Sequence, residues 1–180
     1  MEQDSKLISK EESILKKIKI KRNLPRGEYR FSDIFSGIET SPAIKLLFKD
    51  KEISELQNLR IEITSEVYYM KVDEIDEKLL INSRYLRRGR REFIYLDLIH
   101  EFTHIKQRRE GLNLFDERYS YIDRPTELVA YANAVNEARR LGLSELEIYD
   151  YLWVDWISES ELQILAKRLD VKPSTEKKHN

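Results

Sequence analysis

The chain has no cysteine, which removes disulfides, thiolate nucleophiles and cysteine-ligated zinc in one step. Any metal must therefore rest on imidazoles and carboxylates, and histidine is itself scarce, with three in 180 residues. Neither charge is in excess. The 33 acids nearly cancel the 32 lysines and arginines, so the molecule as a whole exerts no pull toward nucleic acid or anionic lipid, and such a partner would need a local patch. No run approaches the ~20 apolar residues of a membrane span, and the opening MEQDSKLISKEESILKK is charged throughout, without the apolar stretch of a secretory leader. The expectation is a cytoplasmic protein without membrane contact. A chain of this length with 41% hydrophobic residues can form one globular domain that buries roughly two-thirds of its unfolded surface.

What is present is ordered in blocks. Residues 6 to 22 place Ile14, Leu15 and Ile18 on one helical stripe, with Ser9 and Glu12 as a capping box. NLPRGEYRFSDIFSG is broken by Pro25, Gly27 and Gly37, and Ser41-Pro42 then opens a helix near 42 to 49, with another turn or two through 52 to 58. From Leu59 the pattern alternates (LRIEITSEVYYMKV, then KLLINS after the turn DEIDE), which predicts two or three strands. The segment RYLRRGRRE links them to a helix from about Glu92 to Glu110 that stops at Gly111. Asp123 is read as the cap of the next helix, with Pro125 in its first turn and Gly142 at its end. Ser144 with Glu147 and Ser158 with Glu161 open two short closing helices. This order predicts an α+β domain: a helical region over 1–58, a core over 59–170 ending in helices, and a polar, disordered tail over 171–180.

The chemistry lies in IYLDLIHEFTHIKQ, residues 94 to 107. On a helix His100 and His104 stand one turn apart with Glu101 beside them, the His-Glu-x-x-His pattern in which two imidazoles bind one zinc and the carboxylate reaches its water. Phe93, Leu96, Ile99, Phe102 and Ile105 are spaced to bury the other side of that helix.

Catalytic zinc needs a third protein ligand and an open position. His179 lies in the tail, so a carboxylate is required, and Glu110, six residues past His104, is rotated to another face. Asp116, Glu117, Asp123, Glu127 and Glu137 remain. Glu127 is favoured because it opens the next helix, 22 residues beyond His104, where Ala130, Ala132 and Ala134 allow close helix approach; Asp123 and Glu117 stay open as alternatives. The role that competes for Glu127 is that of a first-turn acid favoured by the helix dipole.

HEFTH on a core helix, preceded by strands and an arginine-rich linker and followed by a helix carrying Glu127, resembles the zincin-type metallopeptidases whose third ligand is glutamate (gluzincins). Among these the compact ImmA/IrrE-like group is the nearest in kind. The resemblance covers about residues 59 to 141. It implies a compact domain in which a small mixed sheet packs beside two helices, zinc held by His100, His104 and Glu127, Glu101 as general base, and a protein or peptide substrate. Tyr131 stands four residues past Glu127, where thermolysin-like enzymes carry an acid. The resemblance also implies that substrate pairs with an exposed strand edge, here around Val67 to Val72. Tyr119, Tyr121 and Tyr131 are the candidate donors to an oxyanion.

Two other features point elsewhere. Arg84, Arg87, Arg88, Arg90 and Arg91 form a local basic patch that could grip phosphates, which keeps a regulatory nucleic-acid or protein-binding module as the alternative; the solvated-loop reading is favoured. Tyr149, Tyr151, Trp153 and Trp156 are expected in the core.

Overall fold

The computed structural model describes residues 14–73 and 75–172. Helix α1 (14–17) leads into β1 (Lys19–Ile20), and β2 (Gly27–Arg30), α2 (Phe31–Ile34), β3 (Phe35–Ser36), α3 (Pro42–Leu47) and α4 (Asp50–Leu56) follow. Next come β4 (Arg60–Thr64), β5 (Met70–Asp73), β6 (Lys78–Asn82) and α5 (Ser83–Arg88). The chain then enters α6 (Arg91–Arg109), α7 (Pro125–Arg140), α8 (Glu145–Leu152) and α9 (Glu159–Arg168).

The protein is α+β, with a mixed four-stranded sheet in the order β2-β4-β6-β5. The β4–β6 pair is parallel, with Ile61 opposite Leu79, and both outer pairs are antiparallel. Strand β5 is thus an edge.

Three expectations change. The region over 1–58 is not purely helical, because GEYR supplies β2 and Lys19–Ile20 pairs with Phe35–Ser36. Ile18, expected on a helical stripe, leads directly into that pairing and is fully buried. The capping box at Ser9 and Glu12 lies outside the described residues. RYLRRGRRE is not a plain linker either: Asn82 accepts from the Tyr85 N–H and caps α5. Val171 and Lys172, assigned to the tail by the sequence, are also held in place: Val171 is buried and the Lys172 N–H donates to Glu145 at 2.9 Å.

The core has two parts with α6 between them. Ile94, Tyr95, Leu98, Ile99, Phe102 and Ile105 of α6 join the residues of the sheet and the N-terminal helices. Leu96 joins α7, α8 and α9. The helix is therefore buried on more sides than an amphipathic stripe requires. Ala130, Ala134 and Ala138 form a fully buried, small-residue row on α7; Ala132 is only half-buried and lies off it. Gly111, with φ of 81°, closes α6 in the left-handed region: its own N–H donates to Arg108 and the Leu112 N–H to Gln107, so two orphan carbonyls are satisfied.

Candidate metal centre

The α6/α7 packing brings the first turn of α7 against the middle of α6. His100 Nε2 and His104 Nε2 are 3.0 Å apart, Glu127 Oε2 is 3.3 Å from His100 Nε2, and Glu127 Oε1 is 3.5 Å from His104 Nε2. A four-coordinate zinc with bonds of 2.0–2.1 Å keeps its ligand atoms about 3.3–3.4 Å from one another. The separations lie near that spacing, each carboxylate oxygen facing a different imidazole, and all three side chains are buried, so this group could hold a metal ion.

The donors also fit in chemistry. Glu127 Oε2 is buried and receives no hydrogen bond, a condition rare for an interior carboxylate oxygen unless a cation answers it. On the far side of His104, Gln107 Nε2 donates to the Thr126 carbonyl at 3.0 Å, which leaves Gln107 Oε1 to accept from His104 Nδ1 at 2.9 Å. When neutral, His104 is therefore the tautomer whose Nε2 lone pair faces the cluster. His100 has no such support: its Nδ1 is buried without a partner, and its ring meets the Tyr131 ring edge-on at 4.5 Å.

Electrostatics agree. Burial opposes charge on Glu127, but the two imidazoles overcome it and hold the carboxyl well below the usual range. Burial lowers His100. Burial also works against protonated His104, yet Glu127 and Glu101 outweigh it and lift the group to about 9. The metal-free group thus takes up a proton on His104, and a cation could take that proton's place beside the ionised Glu127.

Glu101 lies beside this group, buried, with Oε2 accepting the Val72 N–H of edge strand β5 at 2.9 Å. Burial pushes its carboxyl up to about 8, with Glu127 and Asp97 adding to the effect. A group with such a value can exchange a proton near neutral pH.

The other candidate ligands go elsewhere. Asp116 pairs with Arg118, and Glu117 and Glu110 are exposed. Asp123 is neither ligand nor cap: it accepts from Ser120 and pairs with Arg168, and Arg124 occupies the N-cap position of α7. Glu137 is buried but accepts from Tyr95 and Arg140.

The cluster opens into a cavity of about 610 Å³. Tyr121 and Tyr131 line it and join hydroxyl to hydroxyl at 2.8 Å, whereas Tyr119 is 41% exposed and outside it. Trp153 and Trp156, expected in the core, are half exposed and line its mouth; only Tyr151 of that aromatic set is buried. Two of the five arginines are engaged internally, Arg90 with Glu147 and Arg91 with the Ile18 carbonyl, while Arg84, Arg87 and Arg88 are exposed. The sequence reading missed Asp97 and Gln107. Both lie on the helical stripe 97-100-104-107, and that spacing is the signal that could have revealed them.

Comparison of the chain with protein-family models, curated proteins and solved structures gave no match. No helix among the described residues is long and apolar enough to cross a membrane.

Proposed function

We propose that this protein is a zinc-dependent peptidase of the zincin type, with glutamate as third ligand, acting on a protein or peptide substrate. The observation that carries the reading is the buried triangle of His100, His104 and Glu127 with Glu101 anchored beside it. Zinc held there would supply a Lewis acid that lowers the pKa of water and polarises a carbonyl.

The chain's own groups do the rest. Glu101, fixed by the Val72 N–H, accepts a proton from the attacking water and passes it to the leaving amine. Tyr121 is the more exposed member of the Tyr121–Tyr131 pair and donates its hydroxyl to the developing oxyanion, with Tyr131 holding its orientation. Substrate pairs with the outer edge of β5 on the N-terminal side of Val72, whose own N–H is already taken by Glu101.

A binding module on the arginine patch is the second reading. It is weakened because Arg90 and Arg91 are spent on internal contacts. Glu101→Gln separates the two. Zinc should stay bound while cleavage of an unstructured protein such as casein falls by about 10²–10⁴-fold; unaltered cleavage by the variant, or none by zinc-loaded wild type across a broad peptide library, would end the peptidase reading.

A further inference from the structure

The cavity has a second end that the peptide-cleaving chemistry leaves unused. Asp97 stands on α6 three residues before His100, a rise of about 4.5 Å, and lines the same cavity. Tyr85 donates its hydroxyl to Asp97 Oδ2. The Tyr151 hydroxyl, on a side chain 6% exposed, faces the carboxylate and helps hold its charge, yet completes no hydrogen bond of normal geometry.

The surroundings are aromatic. Tyr69 packs on Tyr85 with ring centroids 5.0 Å apart, and Phe93 meets Tyr151 edge-on at 5.5 Å. Among the described residues no lysine, arginine or histidine pairs with Asp97. The cations near this end are engaged elsewhere: Arg90 lies over the Phe93 ring and pairs with Glu147 at 2.7 Å, and Arg22, whose charge reaches Tyr85, donates to the Gly89 carbonyl at 2.8 Å. A carboxylate surrounded by rings, reached only through a cavity and without a cation of its own, is costly to ionise. Burial accordingly raises its pKa to about 7.

We propose that this end of the cavity binds a lysine or arginine side chain of the substrate, next to the scissile bond, with Asp97 as counter-ion and the rings of Tyr69, Tyr85, Phe93 and Tyr151 as walls. A guanidinium or ammonium supplies the missing charge, gives the Tyr151 hydroxyl a polar neighbour, and stacks on ring faces. The assignment rests on the peptidase reading for its substrate but not for its binding chemistry.

The test therefore has a binding arm and a cleavage arm. Titration calorimetry on the intact protein compares butylguanidinium with its neutral isostere butylurea, a comparison that needs no variant. The cation should bind at least about 30-fold more tightly, and Asp97→Asn, with its fold checked by circular dichroism, should remove the difference. Equal binding of cation and isostere by wild type overturns the site. In the cleavage arm, peptides with arginine or norleucine on either side of the cut bond should differ in kcat/KM by a similar factor, and that factor should collapse in Asp97→Asn while zinc content is retained. Cation binding without cleavage of any peptide supports the pocket and sinks the peptidase reading. Cleavage indifferent to basic residues does the reverse.

Discussion

The seam between α6 and α7 holds two buried polar clusters, and they differ in how they are satisfied. Toward the N-terminal end of α6, Tyr95 donates to Glu137, shares a hydrogen bond with Ser41, and Arg140 completes the group by pairing with Glu137. Further along α6, His100, His104 and Glu127 converge with Glu127 Oε2 and His100 Nδ1 left without a hydrogen bond. Both clusters tie the same two helices together, and both contain a glutamate of α7. A buried acid that serves the fold finds its donors within the chain; one that serves a ligand keeps an oxygen in reserve.

If the comparison is right, the clusters should respond oppositely to substitution. The largest effect belongs to Glu127→Ala, which removes one of the three proposed ligands and should weaken zinc binding on the order of 1000-fold. Competition with a fluorescent chelator measures this, and an affinity within tenfold of wild type would move the third ligand elsewhere. Glu137→Ala should do the converse. It leaves Arg140 and Tyr95 without their acceptor and should cost about 3 kcal/mol in urea unfolding, with zinc affinity unchanged. A loss of zinc there would mean that the two clusters are one unit.

Gln107→Leu gives a smaller effect. It removes the acceptor that fixes the His104 tautomer, and zinc affinity should fall 10–100-fold; because it also leaves the buried Thr126 carbonyl and His104 Nδ1 without partners, the metal-free protein should lose about 1–2 kcal/mol in urea unfolding. The smallest effect concerns the carboxylate that neither cluster satisfies. In the folded protein the Asp97 pKa rises from an ordinary 3.8 to about 7, so between those values the folded state binds more protons than the unfolded state. Stability from this residue is full below pH 4 and is lost as the pH rises to about 7. Asp97→Asn should therefore stabilise the metal-free protein at pH 8 and hardly at all at pH 4. Glu101 titrates across an overlapping range up to about 8, so the informative quantity is the difference between wild type and variant at each pH. Equal stability of the two proteins at pH 8 would show that Asp97 already has its counter-charge.

The parts of the molecule legible beforehand share a local cause. The spacing of His100 and His104, the first-turn position of Glu127 and the stops at Gly111 and Gly142 follow from helix geometry, and the structure brings those three side chains together. The strand GEYR was hidden because it is polar and short, at the far edge of the sheet, and only its pairing with Arg60–Thr64 makes it a strand. Asp123 looked like a cap because it precedes a proline, but the arginine that claims it is Arg168, distant in sequence. Trp153 and Trp156 were expected inside by composition alone. Their position at the cavity mouth depends on how Tyr151 of α8 meets Phe93 and how Trp156, beyond the end of α8, meets Tyr121, which no local pattern encodes.

The most direct measurement is the metal content of the protein purified without an affinity tag or added metal, by elemental analysis, beside His104→Ala and Glu127→Ala. The account predicts about one zinc per chain in wild type and essentially none in either variant. A folded wild type without zinc or another transition metal, or zinc that persists in Glu127→Ala, would contradict it.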